Sequence, residues 1–163
     1  MATANRNLSD YNKDFVPNGA DYKVGIVVSE WNENVTFDLL EGVKKALLDN
    51  GVLLENIHIH FVPGAFELPL GTKLVLDAMF MDGVIAIGCV IQGETKHFDY
   101  VCEAATNGLA QLTLQYDKPV SFCLLTDNNL QQSLDRSGGK HGNKGTECAI
   151  ACMKMIDLKR SLF

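Results

Sequence analysis

A loop of six residues, Gln92-Gly93-Glu94-Thr95-Lys96-His97, combines the residue types of an anion site with a possible proton donor. It follows the most hydrophobic predicted strand and precedes a predicted helix. Gly93 permits a tight turn, after which the backbone N–H groups of Glu94 and Thr95 are free to bind phosphate at the helix N-terminus. A helix start capped by Thr95 explains the same residues. The local spacing leaves both alternatives open.

His97 is expected in the first turn of that helix, near its positive end, where the protonated imidazolium is disfavoured. A neutral imidazole at this position could accept and donate a proton near neutral pH. The alternative is a surface histidine without a catalytic role.

Two further loops could contact a planar ligand. The Pro63–Glu67 segment offers small residues, backbone N–H groups and a carboxylate, which suit a flat polar heterocycle. A strand-to-helix turn with Glu67 near the helix N-terminus is the simpler explanation of that segment. Trp31, the only tryptophan, lies in a polar loop, where it is either a stacking platform or an interface anchor.

The segment 134–145 holds three cations and four glycines in twelve residues. Arg136 is its first cation and Lys144 its last. Such a flexible, locally basic turn suits an anionic substrate group. A solvated turn explains the composition as well.

The elements that must position these residues alternate along the chain. The predicted strands are residues 22–29, 57–62, 84–91 and 119–126, and the predicted helices are residues 34–49, 67–81, 97–116, 128–136 and 146–158. Apolar strands joined by helical crossovers indicate a parallel sheet covered on both faces. We therefore expect an α/β protein, a doubly wound three-layer α/β/α sandwich with a four-stranded parallel sheet in flavodoxin-like order. In such a sheet ligands bind at the carboxyl ends of the strands, which directs attention to four loops. They are residues 29–34, 63–67 and 92–97 and the segment from Asp127 onward.

The domain boundaries follow from polarity. Residues 1–21 are polar and predict an N-terminal arm, one option being a strand added to a neighbouring molecule. Residues 22–163 contain no linker or repeat and predict a single domain.

Composition excludes several classes of protein. The 163 residues are 47% hydrophobic and 21% charged, which excludes disordered and collagen-like chains. The net charge of −6 argues against nucleic acid or an anionic membrane as the main partner. The mean hydropathy of +0.03 is slightly high for a soluble monomer, which indicates apolar surface covered by other copies.

Cysteine and histidine usage indicates a reduced protein without a metal. The five cysteines are odd in number, form no CxxC motif and lie mostly in apolar segments, which fits a reducing cytoplasm. His58 and His60 point to one sheet face, but no carboxylate or cysteine follows at a metal-binding spacing. No secretion signal or membrane segment is expected, because no apolar stretch approaches the roughly 20 residues of a membrane span.

Four segments of the chain, taken together and in order, resemble the 6,7-dimethyl-8-ribityllumazine synthase family. They are VSEWNENVTFDLLEG, VPGAFELP, AIGCVIQGETKHFDYV and LDRSGGKHGNKGTECA. The resemblance implies the penultimate step of riboflavin biosynthesis: 5-amino-6-(D-ribitylamino)uracil condenses with 3,4-dihydroxy-2-butanone 4-phosphate through a Schiff base, phosphate elimination and ring closure. It implies no metal or organic cofactor.

The resemblance also implies roles for individual residues. His97 is the general acid/base, and Glu94, Thr95 and Arg136 bind phosphate. The pyrimidine substrate is contacted by Trp31, Ala65, Phe66, Glu67, Cys89, Val90, Ile91 and Phe122. Phe122 and Arg136 serve the site of a neighbouring subunit.

One position departs from the family pattern. Gln92 stands where many members have arginine, which removes a positive charge beside the phosphate. Either Lys96 or Lys144 compensates, or the phosphate binds more weakly.

Family members form pentamers, and a short turn between the last two helices goes with assembly of pentamers into an icosahedral shell. The resemblance thus implies a homo-oligomer with active sites at subunit interfaces. Two other classes stay open at this point, a non-catalytic lumazine or flavin carrier and a purely structural shell protein.

Overall fold

A computed structural model describes residues 7–163 of the chain and contains one four-stranded parallel sheet. Its strands are β1 (Val24–Ser29), β2 (Ile57–Val62), β3 (Gly83–Ile91) and β4 (Val120–Asp127). They lie in the order β2-β1-β3-β4, and every neighbouring pair is parallel. This is the predicted flavodoxin-like order. From β1 the chain adds β2 on one side and then β3 on the other, so the point where strand order reverses lies between β1 and β3.

Helices cover both faces of this sheet. They are α1 (Glu33–Asp49), α2 (Leu68–Ala78), α3 (His97–Tyr116), α4 (Leu130–Arg136) and α5 (Lys144–Leu162). The core beneath α1 and α5 includes Leu39 and Met153, and the core beneath α2 and α3 includes Leu68 and Leu109. The predicted three-layer sandwich is confirmed.

Strand β1 shows why its sequence is apolar up to its last residue, Ser29, whose hydroxyl donates to the Trp31 carbonyl at 3.4 Å. All six residues are buried, and successive side chains enter opposite cores: Ile26 faces α1 and α5, whereas Val27 faces α2 and α3. A strand with helices on both sides has no face for polar side chains.

Helix α3 is amphipathic, as its periodicity predicts. Ala105, Leu109 and Leu112 are buried, and Val101 packs against the same core. Leu114 lies on the opposite face and is exposed.

Element boundaries differ from the sequence prediction by up to four residues, and three segments show a local reason for a difference. Helix α2 begins at Leu68 because Ala65–Glu67 forms a separate 3-10 turn. Helix α5 begins at Lys144, two residues before the predicted start, because the Asn143 side chain caps it. The segment predicted as a flexible turn forms an antiparallel hairpin of β5 (Ser137–Gly139) and β6 (Gly142–Asn143).

The described part of the N-terminal arm lies against its own domain. Residues 7–21 contain a 3-10 turn at Lys13–Phe15 and no strand. The Leu8 N–H donates to the His141 carbonyl at 2.7 Å, and the Asn50 amide donates to the Tyr11 hydroxyl at 3.1 Å. A strand added to a neighbour, and the boundary at residue 21, stay predictions; residues 1–6 lie outside the described residues.

No helix within residues 7–163 is both long and apolar enough to cross a membrane. Over the same residues, no cluster of three or more His, Cys, Asp or Glu side chains could hold a metal ion. All five cysteines are free thiols.

Candidate active site

Hydrogen bonds between loops build a continuous rim at the carboxyl edge of the sheet. The Glu30 N–H donates to the Val62 carbonyl at 2.8 Å, and the Trp31 N–H donates to the Pro63 carbonyl at 3.1 Å. Across the other half of the sheet, the Gln92 N–H donates to the Asp127 carbonyl at 2.9 Å. The backbone pairing of β1 with β2, and of β3 with β4, thus continues into the loops. It fixes the backbone positions from which the loop side chains project.

Asn32 joins the two halves of this rim. It adopts the left-handed conformation (φ 61°, ψ 46°), and its side-chain amide donates to the Cys89 carbonyl at 2.9 Å. Asparagine tolerates this conformation better than most residues. The bond spans the point between β1 and β3 where strand order reverses, and it places Trp31 beside the end of β3.

Trp31 and Phe66 present exposed aromatic rings at this edge. Trp31 is 72% exposed and Phe66 is 62% exposed, although Ala65 beside Phe66 is buried. Glu67 closes the same turn, its N–H donating to the Gly64 carbonyl at 3.2 Å, and its carboxylate lies against Gly64. Two stacking surfaces and one carboxylate therefore frame the β1 and β2 side of the site.

The end of β3 forms the floor. Cys89 is buried, while Val90 and Ile91 are half-buried. The Cys89 thiol donates to the Ser133 hydroxyl at 3.4 Å, and that hydroxyl donates to the Asp127 carboxylate at 2.8 Å. Burial raises the pKa of the Cys89 thiol, with the Asp127 charge acting in the same direction and the Ser133 hydrogen bond opposing it. The neutral thiol therefore links β3 to α4 and is no nucleophile.

The loop from Gln92 to Lys96 is fully exposed and leads into α3. Lys96 occupies the N-cap position and makes no side-chain cap. The Thr95 hydroxyl accepts from the His97 N–H at a long 3.4 Å. A Cβ added to Gly93 would meet nothing within 4 Å, so the loop has open space on one side. Thr95 therefore caps the helix only weakly, and the start of α3 remains suited to binding an anion.

His97 is the first residue of α3 and is exposed. Its position matches the sequence prediction that it lies at the positive end of the helix.

Phe122 lies away from this edge. In the β3–β4 register it pairs with Ala86, five residues before Ile91. At the strand rise this is a separation of about 16 Å from the end of β3. Phe122 is partly exposed on β4, an edge strand of the sheet.

Two of the three cations of the 134–145 segment, Arg136 and Lys144, flank the hairpin. Arg136 ends α4, and its guanidinium donates to the Gln132 carbonyl at 2.8 Å. Lys144 begins α5 and forms an ion pair with Glu147 at 3.0 Å, with only 14% of the lysine side chain exposed. Burial lowers the pKa of Lys144, but the hydrogen bond that Lys144 donates to Glu147, together with the charges of Cys148 and Glu147, raises that pKa above its ordinary value.

Sequence reasoning missed Asn32, Ser133 and Asp127, whose hydrogen bonds hold the rim together. An asparagine directly before a helix, as at Asn32, is a signal for a special backbone conformation. Ser133 carries no such signal, because its partners come from β3 and β4.

Comparison with known proteins finds similarity over nearly the whole chain. The model of the 6,7-dimethyl-8-ribityllumazine synthase family matches residues 21–160. The chain is similar to the 6,7-dimethyl-8-ribityllumazine synthase of Flavobacterium johnsoniae, with 56% identity over 160 residues covering 98% of this chain and 84% of the relative. The protein of that name from Christiangramia forsetii is 55% identical over 161 residues, covering 98% and 96%. One from Phocaeicola vulgatus is 51% identical over 162 residues, covering 99% and 96%. With its parallel sheet, the rim of loops and this likeness, the chain belongs to the 6,7-dimethyl-8-ribityllumazine synthase family.

Proposed function

We propose that this protein condenses 5-amino-6-(D-ribitylamino)uracil with 3,4-dihydroxy-2-butanone 4-phosphate to 6,7-dimethyl-8-ribityllumazine, releasing phosphate and water. This is the penultimate step of riboflavin biosynthesis. Family membership over residues 21–160 is the observation that carries the proposal. The rim at the carboxyl edge supports it, because it offers aromatic surfaces, a carboxylate and an anion-binding helix start together.

We assign the pyrimidine substrate to the aromatic side of the rim. Trp31 and Phe66 stack against the ring, and the Glu67 carboxylate accepts hydrogen bonds from its polar groups. Backbone of Cys89, Val90 and Ile91 lines the ring edge. The floor is rigid because the Asn32 and Ser133 hydrogen bonds fix both sides of Cys89.

The phosphate of the second substrate is assigned to the start of α3. Backbone N–H groups at Glu94 and Thr95 bind its oxygens, the Thr95 hydroxyl adds a donor, and Arg136 supplies positive charge. This cradle holds the leaving group without reacting with it. Lys144 is a supporting cation for the same group.

His97 moves the protons of the reaction. Schiff-base formation and dehydration require a group that gives and takes a proton near pH 7. A histidine at this position can accept the proton of the attacking amine and return a proton in the dehydration step. Both substrates are intrinsically reactive, so holding them together supplies much of the acceleration. We expect the reaction to need no metal or organic cofactor.

We further propose that the working form is a homo-oligomer, a pentamer that assembles into an icosahedral shell, with each site completed by a neighbour's Phe122 and Arg136. The 16 Å offset estimated for Phe122 from the strand rise supports sharing between subunits. Exposed apolar side chains support extensive contacts between copies. They include Leu70 and Leu74 on α2, and Leu158, Leu162 and Phe163 at the C-terminus. Light scattering after size exclusion should show a particle of about 60 chains.

The decisive experiment mixes the purified protein with both substrates and follows lumazine fluorescence. Product formation that depends on both substrates, and persists with EDTA, is expected. Tight binding of lumazine or riboflavin without product formation would instead identify a non-catalytic carrier. Assembly with neither binding nor product would identify a structural shell protein.

A further inference from the structure

The hairpin between α4 and α5 has one side chain at its centre, Asn143. We propose that Asn143 is a positioning residue that fixes the spacing of Arg136 and Lys144 for binding of the substrate phosphate. The inference rests on the proposed function, in which these two cations serve one anion.

The Asn143 side chain bridges the chain neighbours of both cations. Its amide nitrogen donates to the Ser137 carbonyl at 3.1 Å, and Ser137 directly follows Arg136. Its amide oxygen accepts from the Gly145 N–H at 2.7 Å, and Gly145 directly follows Lys144. One planar amide thus ties the end of α4 to the start of α5.

The bridge is also anchored to the body of the domain. The Asn143 amide nitrogen donates to the Asp38 carbonyl of α1 at 2.8 Å. The Asn143 backbone N–H donates to the Ser9 hydroxyl at 2.9 Å. Both cations therefore take their position from α1, and not from the hairpin alone.

Close packing holds this amide in place. A Cβ at Gly42 of α1 would lie 2.2 Å from the Asn143 amide oxygen, and a Cβ at Gly145 would lie 2.1 Å from the Leu39 carbonyl. Helices α1 and α5 approach as closely as they do because both positions are glycine. A side chain at Gly42 would therefore displace the Asn143 amide.

The chemistry of this position requires asparagine. The side chain must accept one hydrogen bond and donate two, which a carboxylate or a single hydroxyl cannot do. Serine would keep the acceptor that caps α5 but would lose both donations to Ser137 and Asp38. Asn143→Ser therefore removes the bridge while it retains the helix cap and the net charge.

Removal of the bridge should weaken phosphate binding and leave the proton chemistry intact. His97 belongs to another loop and, in the proposed assembly, to another subunit. We expect the Asn143→Ser variant to raise KM for the butanone phosphate and the inhibition constant of inorganic phosphate by about tenfold, equivalent to about 1.4 kcal/mol. Turnover number and KM for the pyrimidine should stay within about twofold of wild type, because neither depends on the distance between the cations.

Asn12→Ser is the matched control. Asn12 also caps a helical turn through its side-chain oxygen, which accepts from the Asp14 N–H at 3.0 Å, and it lies in the arm. It should leave all four constants unchanged. Light scattering and thermal unfolding verify that both variants assemble.

The outcomes separate the proposal from the function on which it rests. Unchanged constants in the Asn143→Ser variant, or a loss shared equally by turnover and both KM values, would overturn the positioning role. If wild-type protein forms no lumazine, the proposed function fails. Calorimetric titration of assembled wild type and assembled Asn143→Ser with inorganic phosphate then tests the positioning role independently of catalysis. Weaker phosphate binding by Asn143→Ser supports that role, and equal binding rejects it.

Discussion

His97 stands exposed at the first position of α3, beside the open space of the Gly93 turn. Its neighbours in the loop are equally exposed, so the chemistry at this end of the site relies on position more than on burial. The aromatic side of the site is similarly open in one chain. We therefore expect individual residues to contribute modestly to the rate and the binding of both substrates together to supply the rest.

This view predicts a limited loss for the His97→Ala variant. Turnover should fall by about 10- to 100-fold, below the upper range for acid–base residues, because proximity is retained. Steady-state lumazine formation measures this, with His60→Ala as a control for loss of an exposed histidine on β2. Complete inactivity of an intact His97→Ala assembly would contradict the prediction.

Gln92 offers a gain-of-charge test. Its backbone is fixed by the bond to Asp127, and its side chain is exposed, so arginine fits without repacking. We expect Gln92→Arg to lower KM for the butanone phosphate. Gln111→Arg adds the same charge on an exposed position of α3 away from the loop and should not change KM. An equal or higher KM for Gln92→Arg would show that the missing arginine has no role.

The sequence allowed prediction of site residues whose signal is local, but not of those defined by distant partners. Gly93, Thr95 and His97 form a recognisable pattern, and the structure places them at a helix start as expected. Asn143 was recognisable only as part of a basic turn, because its partners come from α1, β5 and α5.

At the scale of elements, periodicity was sufficient for every strand of the main sheet and for the helices around it. Apolar strands reflect burial on both faces of the sheet, and helical repeats reflect burial of one face of each helix. Both patterns follow from the three-layer arrangement. The β5–β6 hairpin was not predicted, since glycine and lysine carry no strand signal and its bonds depend on packing against α1.

The contact between α1 and α5 predicts a strong effect of one methyl group. In Gly145→Ala the new Cβ would lie 2.1 Å from the Leu39 carbonyl, a backbone atom that cannot rotate away. We expect a loss of about 1–3 kcal/mol in stability. Thermal unfolding should show it, whereas Gly93→Ala, with no atom within 4 Å of its Cβ, should unfold at the wild-type temperature. Equal unfolding temperatures would argue against close contact of these helices.

At the scale of the whole molecule, buried titratable groups predict instability in alkali. Burial raises the pKa of the Cys152 thiol to about 12, and burial with the Asp157 charge raises the pKa of Tyr22 to about 12. Their ordinary values are 9.0 and 10.0, so between pH 9 and pH 12 the unfolded chain releases protons that the folded chain keeps. Stability is therefore full below pH 9 and is lost as the pH rises toward 12.

Urea unfolding at several pH values between 8 and 11 measures this loss. The decline should be shallower in Cys152→Ala and in Tyr22→Phe, because each variant removes one of the two groups. A midpoint independent of pH over this range would contradict the assignment.

Sharing of sites between subunits gives the last prediction. Phe122 pairs with Ala86, which by the strand rise places it about 16 Å from the end of β3 in its own chain. If a neighbour supplies Phe122 and Arg136, then His97→Ala and Arg136→Ala subunits carry their defects on opposite sides of each interface. In assemblies formed from an equal mixture, about a quarter of interfaces should unite an intact His97 with an intact Arg136. Co-expressed variants should therefore regain lumazine synthesis, at butanone phosphate concentrations below KM, well above the mean of the two variants assembled separately. If each chain builds its site alone, every site keeps one defect, and mixing restores nothing.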